Sequence, residues 1–171
     1  VTTVQAVTKK HIHTLSALVA NKAGVLSRIA QVFARRGYNI ESLVVSPSIN
    51  GKYSRMTVGV AGDPEGLDQI IKQVNKLVDV IHCSEHTGED SVAKELVLIK
   101  IRAGVKERTE VLQIAEHFKA KTVDLTEESM ILMATGNSDK LDALVELLAK
   151  YDIIELVRTG RVVMTRGPGE T

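Results

Sequence analysis

The chain has 171 residues, enough for one domain or two small ones. Its 22 basic and 21 acidic residues give a net charge of +1, without the basic excess of a polyanion binder. A single cysteine excludes an internal disulfide and a cysteine-based zinc cluster, no apolar run reaches the ~18 residues of a membrane span, and 3% aromatics with no Trp require an aliphatic core.

In chain order, Val1 to Lys10 is polar and expected to be flexible. Thr14 to Ala20 reads as a strand. Val25, Leu26, Ile29, Val32 and Phe33 then recur at spacings of three and four, the stripe of an amphipathic helix that stops at Gly37. Ile40 to Ser46 and Ser54 to Val60 are strands separated by the turn pair Asn50-Gly51. In the second of them Met56, Val58 and Val60 alternate with Arg55, Thr57 and Gly59. Asp63-Pro64-Glu65 opens a helix that carries Leu67, Ile70, Ile71, Val74 and Leu77: Asp can cap, Pro suits the first turn and Glu favours the positive end. Val78 to Ser84 closes the first half as a strand. Thr87 to Ser91 is a polar linker.

The order then repeats. Strands are predicted at Glu95 to Arg102, Thr122 to Thr126, Met130 to Thr135 and Ile153 to Arg158. One helix carries Val111, Ile114, Ala115 and Phe118; another carries Leu141, Leu144, Val145 and Leu148, with Asn137 or Ser138 as its cap. The tail Gly167 to Thr171 is expected to fray. Each half is thus strand, helix, strand, strand, helix, strand, a ferredoxin-like α+β layer with helices on one face of an antiparallel sheet. Leu18, Val44 and Val58 are expected on the other face, where a second copy would cover them.

The segment Asn21-Lys22-Ala23-Gly24-Val25-Leu26-Ser27-Arg28 joins the first strand to the first helix. Unpaired N–H groups at a helix start favour a carboxylate, Gly24 lets backbone approach closely, and Asn21 offers both donor and acceptor. The same residues also suit an ordinary glycine turn. Asn39 and the pair Arg35-Arg36 read equally as turn chemistry and a solvated helix end. His82 and His86 lack the partners of a zinc site, and His11 and His13 are expected at the surface. RNA-recognition modules share the element order but stack bases on strand aromatics; the first strand here has none, and the third only Tyr53.

Several runs carry a resemblance to a known family. Asn21 to Arg28 resembles the strand-to-helix signature of ACT domains, with Ala23 where Pro is common. Phe33 to Leu43, Ser54 to Thr57, Lys76 to Val80, Glu95 to Ile101 and Arg158-Thr159-Gly160-Arg161 resemble the small regulatory subunits of acetolactate synthase. The resemblance covers about residues 11 to 167 and implies two tandem ferredoxin-like βαββαβ domains: an ACT domain over 11–86, a linker over 87–93 and a C-terminal domain over 94–166, between a flexible segment 1–10 and a tail 167–171.

The resemblance further implies a non-catalytic subunit. It would activate a catalytic (large) subunit and confer feedback inhibition by a branched-chain amino acid, valine above all, in valine, leucine and isoleucine biosynthesis. Thiamine diphosphate, magnesium and FAD would reside only in that catalytic partner. The effector would lie between two ACT domains of a homodimer, with Asn21, Gly24, Val25 and Leu26 from one protomer and Asn39 and Ile40 from the other. No metal, nucleic acid or membrane is implied. A cytoplasmic location is expected for a bacterial source, and a plastid stroma if a transit peptide has been trimmed. The alternative is a stand-alone ACT-type sensor acting on another partner.

Overall fold

A computed structural model describes residues 11–171, so the segment 1–10 lies outside the described residues. The first six elements are β1 (Ile12–Ala20), α1 (Val25–Arg35), β2 (Ile40–Pro47), β3 (Tyr53–Ala61), α2 (Pro64–Asn75) and β4 (Val80–Glu85). Then follow β5 (Ser91–Arg102), α3 (Val105–His117), β6 (Lys121–Leu125), β7 (Ser129–Gly136), α4 (Ser138–Leu148), β8 (Asp152–Arg158) and β9 (Val162–Thr165). The sheets have strand orders β2-β3-β1-β4 and β6-β7-β5-β8, with β9 paired to β5. Both halves are the expected βαββαβ layers. Sequence periodicity missed only β9, which is four residues long.

Two compact units result. Lys94–Thr159 make one, and the described residues up to Ala93 together with Gly160–Thr171 make the other. The chain therefore leaves the first unit, builds the second, and returns.

Local chemistry explains the element ends. Asp63 caps α2 by accepting the Gly66 N–H at 2.7 Å, with Pro64 in the first turn. Asn137 caps α4 through Lys140 N–H at 3.0 Å. After α1, Gly37 takes a φ of +72°, while Tyr38 N–H reaches Phe33 O and Gly37 N–H reaches Ala34 O. These two bonds are the left-handed helix stop that satisfies terminal carbonyls. β4 begins at Val80 and not at Val78, because Leu77 N–H and Val80 N–H close successive turns on Val74 and Leu77, leaving Val78 exposed. Asn75 stitches α2 to that strand: its Nδ2 donates to Ile71 O and Cys83 O, and its Oδ1 accepts Cys83 N–H.

The first core packs Leu15, Ala17, Val19, Met56, Val58 and Val60 of the sheet against Val25, Ile29, Val32 and Phe33 of α1 and Leu67, Ile70 and Val74 of α2. Each fully buried large side chain contributes about 1.5–3 kcal/mol relative to exposure. Val58 corrects an expectation. It pairs with Leu15 across the strands and shares the helix-covered face, not the opposite one. The register places Leu18 and Val44 on the other face, with Thr14, Ser16 and Thr57.

Part of the cover for that other face comes from the chain itself. Arg161 Nη1 donates to Ile12 O at 3.3 Å and to Thr14 Oγ1 at 3.5 Å. Arg55 Nη1 donates to Thr171 O at 2.5 Å and to Ser16 Oγ at 3.4 Å. Thr165 N–H donates to Thr171 Oγ1 at 2.9 Å. The end of the tail 167–171, expected to fray, is thereby tied to Arg55 of β3 and to Thr165 of β9.

In the second unit Val97, Ile99, Ile101, Met130, Leu132 and Ala134 pack against Val111 and Ala115 of α3 and Leu141, Leu144 and Leu148 of α4. Helix α3 starts earlier than its apolar stripe, since its first turn is exposed and Glu107 Oε2 accepts the Gly104 N–H at 3.1 Å.

Candidate functional site

The junction from β1 to α1 is tied to the backbone that leads into β3 and β4. Ala20 N–H donates to Asp79 O at 2.7 Å, Asn21 N–H to Lys52 O at 3.0 Å, and Asn21 Nδ2 to Gly51 O at 3.0 Å. Asn21 thus ties the end of β1 to the β2–β3 turn, where Gly51 takes a φ of +69°. One of its amide donors is engaged there, and the residue is exposed.

Gly24 is the cap of α1. Its φ is +84°, a left-handed conformation that favours glycine, and no side chain caps the helix. The first intrahelical bond is Arg28 N–H to Gly24 O at 3.2 Å. The N–H groups of Val25, Leu26 and Ser27 precede it and have no partner within the helix. Val25 is buried in the core, whereas Leu26 is 44% exposed and points away from it. The first turn holds no acidic residue. Asp79 supplies the nearby negative charge instead, pairing with Arg28 and, at 3.8 Å, with Lys22. The Arg28 guanidinium lies over Gly24, whose hypothetical Cβ would stand 3.3 Å from Nη1. This junction presents free N–H donors, an adjacent apolar side chain and a cation, groups that match an α-amino acid's carboxylate and aliphatic side chain.

Asn39 and Ile40 lie elsewhere. Ile40 pairs with Val60, which pairs with His13, whereas Asn21 follows Ala20 at the far end of β1. His13 and Ala20 are seven strand steps apart, roughly 23 Å at the usual rise. One chain does not bring the two groups together. Asn39 is exposed, with Nδ2 at 3.5 Å from Glu41 Oε1, and Ile40 packs partly against the core.

His13 is not a surface residue. It is 6% exposed, with Nδ1 at 2.6 Å from Glu85 Oε1, and His11 stacks edge-on against it. Burial works against the Glu85 carboxylate, but hydrogen bonds from Thr87 and His13 outweigh it and hold its pKa below the usual glutamate value. His86 is pushed below the usual histidine value by burial and then by the charges of Arg55 and His82. Among the described residues, no group of three or more His, Cys, Asp or Glu could hold a metal ion. No helix among them is long and apolar enough to cross a membrane.

Nothing in the sequence assigns Arg158 a role. The structure makes it the hub of the second unit. Its Nε donates to Glu95 Oε2 at 2.6 Å, its Nη1 to Asp142 Oδ1 at 2.6 Å, and its Nη2 to Ser138 O at 3.2 Å. Burial opposes the charge, but the two carboxylates more than compensate and raise the guanidinium pKa. Only the facing ends of β5 and β8 make this visible, so no local signal announces it.

Tandem βαββαβ units, the first with a glycine-capped strand-to-helix junction, define the class of ACT-containing proteins. Comparisons narrow this. Residues 15–82 match the family described as AHAS small subunit-like ACT domain, and residues 94–167 the family described as small subunit of acetolactate synthase. A probable acetolactate synthase small subunit of Archaeoglobus fulgidus is 46% identical over 155 residues, 91% of this chain and 97% of that one. The acetolactate synthase small subunit of Mycobacterium bovis is 45% identical over 156 residues, 91% of this chain and 93% of that one. The crystal structure of the Thermotoga maritima small subunit superposes with a TM-score of 0.82 at 37% identity, covering 93% of this chain and 99% of that one. The chain belongs to the acetolactate synthase small-subunit family.

Proposed function

We propose that this protein is the non-catalytic, regulatory subunit of an acetolactate synthase, raising the activity of a catalytic subunit and making it sensitive to a branched-chain amino acid, valine first. The observation that carries the effector reading is the junction at Gly24. A positive φ, no side-chain cap and unpaired N–H groups at Val25, Leu26 and Ser27 suit an α-carboxylate, and the exposed Leu26 suits an aliphatic side chain. Asn21, exposed beside it, would take the ammonium group through its side-chain oxygen.

Asn39 and Ile40 close the site from a second copy, because within one chain they are at the opposite end of the sheet. Binding therefore links two protomers. Effector that prefers one arrangement of the pair shifts the assembly toward it, by a coupling of about 1–3 kcal/mol. Chemistry stays with the catalytic partner, which carries thiamine diphosphate, magnesium and FAD. The candidate site offers backbone donors and an aliphatic surface, which supports an effector-binding role.

Calorimetric titration with L-valine, compared with leucine, isoleucine and serine, tests this reading, with Gly24→Asp as the control. The new carboxylate would lie against Arg28 and occupy the helix end that the effector needs. Saturable valine binding that disappears in Gly24→Asp is expected, with loss of feedback in the reconstituted holoenzyme. Normal valine inhibition of a Gly24→Asp holoenzyme would refute the site.

A further inference from the structure

The segment after Gly160 meets the first sheet where β2 is irregular. Ile40 pairs with Val60 and Ser42 with Gly59, so a register shift falls between them. Such a bulge re-aims the residues beside it, here Asn39, Ile40 and Glu41. Ser42 has no spare room on either side. A Cβ on Gly59 would stand 2.4 Å from Ser42 Oγ, and a Cβ on Gly160 would stand 2.2 Å from Ser42 Cβ and 2.5 Å from its Oγ. Gly160 also has a φ of +79°. Conformation and contact both demand glycine there.

Arg161 grips the neighbouring strand. Its Nη1 bonds to Ile12 O and Thr14 Oγ1 bracket His13, and His13 pairs with Val60, the residue opposite Ile40. Gly160 and Arg161 therefore hold both flanks of the sheet end from which Asn39 and Ile40 emerge.

We infer that Gly160 and Arg161 are positioning residues for the Asn39–Ile40 half of the effector site. The inference rests on the function proposed above. Neither residue touches the effector. They act by seating Ser42 beside the bulge, between two glycines, and by pinning the start of β1. Effector affinity then depends on the chain returning from the second unit, although the effector's contacts all lie in the first.

The test is calorimetric titration of L-valine into the full-length wild type, Gly160→Ala, and the double variant Gly160→Ala/Ser42→Gly. Gly160→Ala is expected to weaken valine binding by about tenfold, within the usual range of such couplings. Ser42→Gly removes the atoms that the new methyl meets, so the double variant should recover much of the loss. Arg161→Gln is expected to weaken binding as well, with Arg161→Lys intermediate, and this pair carries the test if thermal melts show Gly160→Ala unfolded. Unchanged valine affinity in a folded Gly160→Ala or in Arg161→Gln would overturn the inference, as would equal loss in Gly160→Ala and the double variant. Wild type that binds no branched-chain amino acid, alone or with the catalytic subunit, would overturn the effector reading itself, and the positioning role with it.

Discussion

Tyr38 and Asp63 hold one another across the start of α2. The Tyr38 hydroxyl donates to Asp63 Oδ1 at 2.7 Å, while Asp63 Oδ2 caps the helix through Gly66 N–H at 2.7 Å. The ring lies on a glycine bed: a Cβ at Gly62 would stand 2.1 Å from Tyr38 Cε1, and one at Gly66 1.8 Å from its hydroxyl oxygen. The link joins the end of α1 to the start of α2, just before Asn39.

Asp63→Ala should therefore lower the melting temperature by a few degrees, since it removes both the cap and the tyrosine's partner. Tyr38→Phe keeps the cap and should cost less. The Tyr38 hydrogen bond, then the Gly66 N–H, depress the Asp63 pKa below its ordinary value of 3.8. A depressed carboxylate contributes stability that is present above its unfolded pKa and lost as pH falls through the folded one. Melts below pH 4 should show this loss in wild type and not in Asp63→Asn.

Arg158→Met should destabilise the second unit by about 3 kcal/mol, the scale for stripping one partner from a buried ion pair. Glu95, 7% exposed, would lose its guanidinium while remaining buried. Chemical denaturation measures the cost. The double variant Arg158→Met/Glu95→Gln should regain part of it, because the buried carboxylate that lost its guanidinium is then neutral.

His86 and Glu85 predict a protein less stable in mild acid. His86 titrates below its ordinary 6.5 in the folded chain, so the unfolded chain takes up the proton first. Its stabilising contribution is complete above pH 6.5 and falls as pH drops toward the folded value. Glu85, held below its ordinary 4.5, adds a second loss in stronger acid. His86→Gln should flatten the first phase of a melting-temperature profile and Glu85→Gln the second.

Cys83 should be inert in the native state. It is 4% exposed, and burial pushes its thiol up to about 11, which keeps the reactive thiolate scarce at pH 8. A thiol reagent should label it at the rate of unfolding, and denaturant should release the full reactivity.

The four helices, and eight of the nine strands, among the described residues can be read from the sequence alone. Each announces itself locally, through apolar spacings of three to four or two and through caps such as Asp63-Pro64 and the stop at Gly37. The β1–α1 junction was legible for the same reason. A glycine and unpaired N–H groups at a helix start are properties of adjacent residues, and Gly24 takes the positive φ that a glycine turn allows.

Tertiary structure alone decided the rest. Val58 could have faced either way until its pairing with Leu15 set the register, and His13 meets Glu85 only because β4 lies beside β1. Asn39 and Ile40 are close to Asn21 in sequence but at the other end of the sheet, because α1 reverses the chain between them. The return of residues 160–171 to the first unit rests on Arg161, Gly160 and Arg55 meeting partners distant along the chain. Helical and strand periodicity is written in neighbours, whereas strand register, burial of single polar groups and long-range docking depend on contacts whose partners no local pattern specifies.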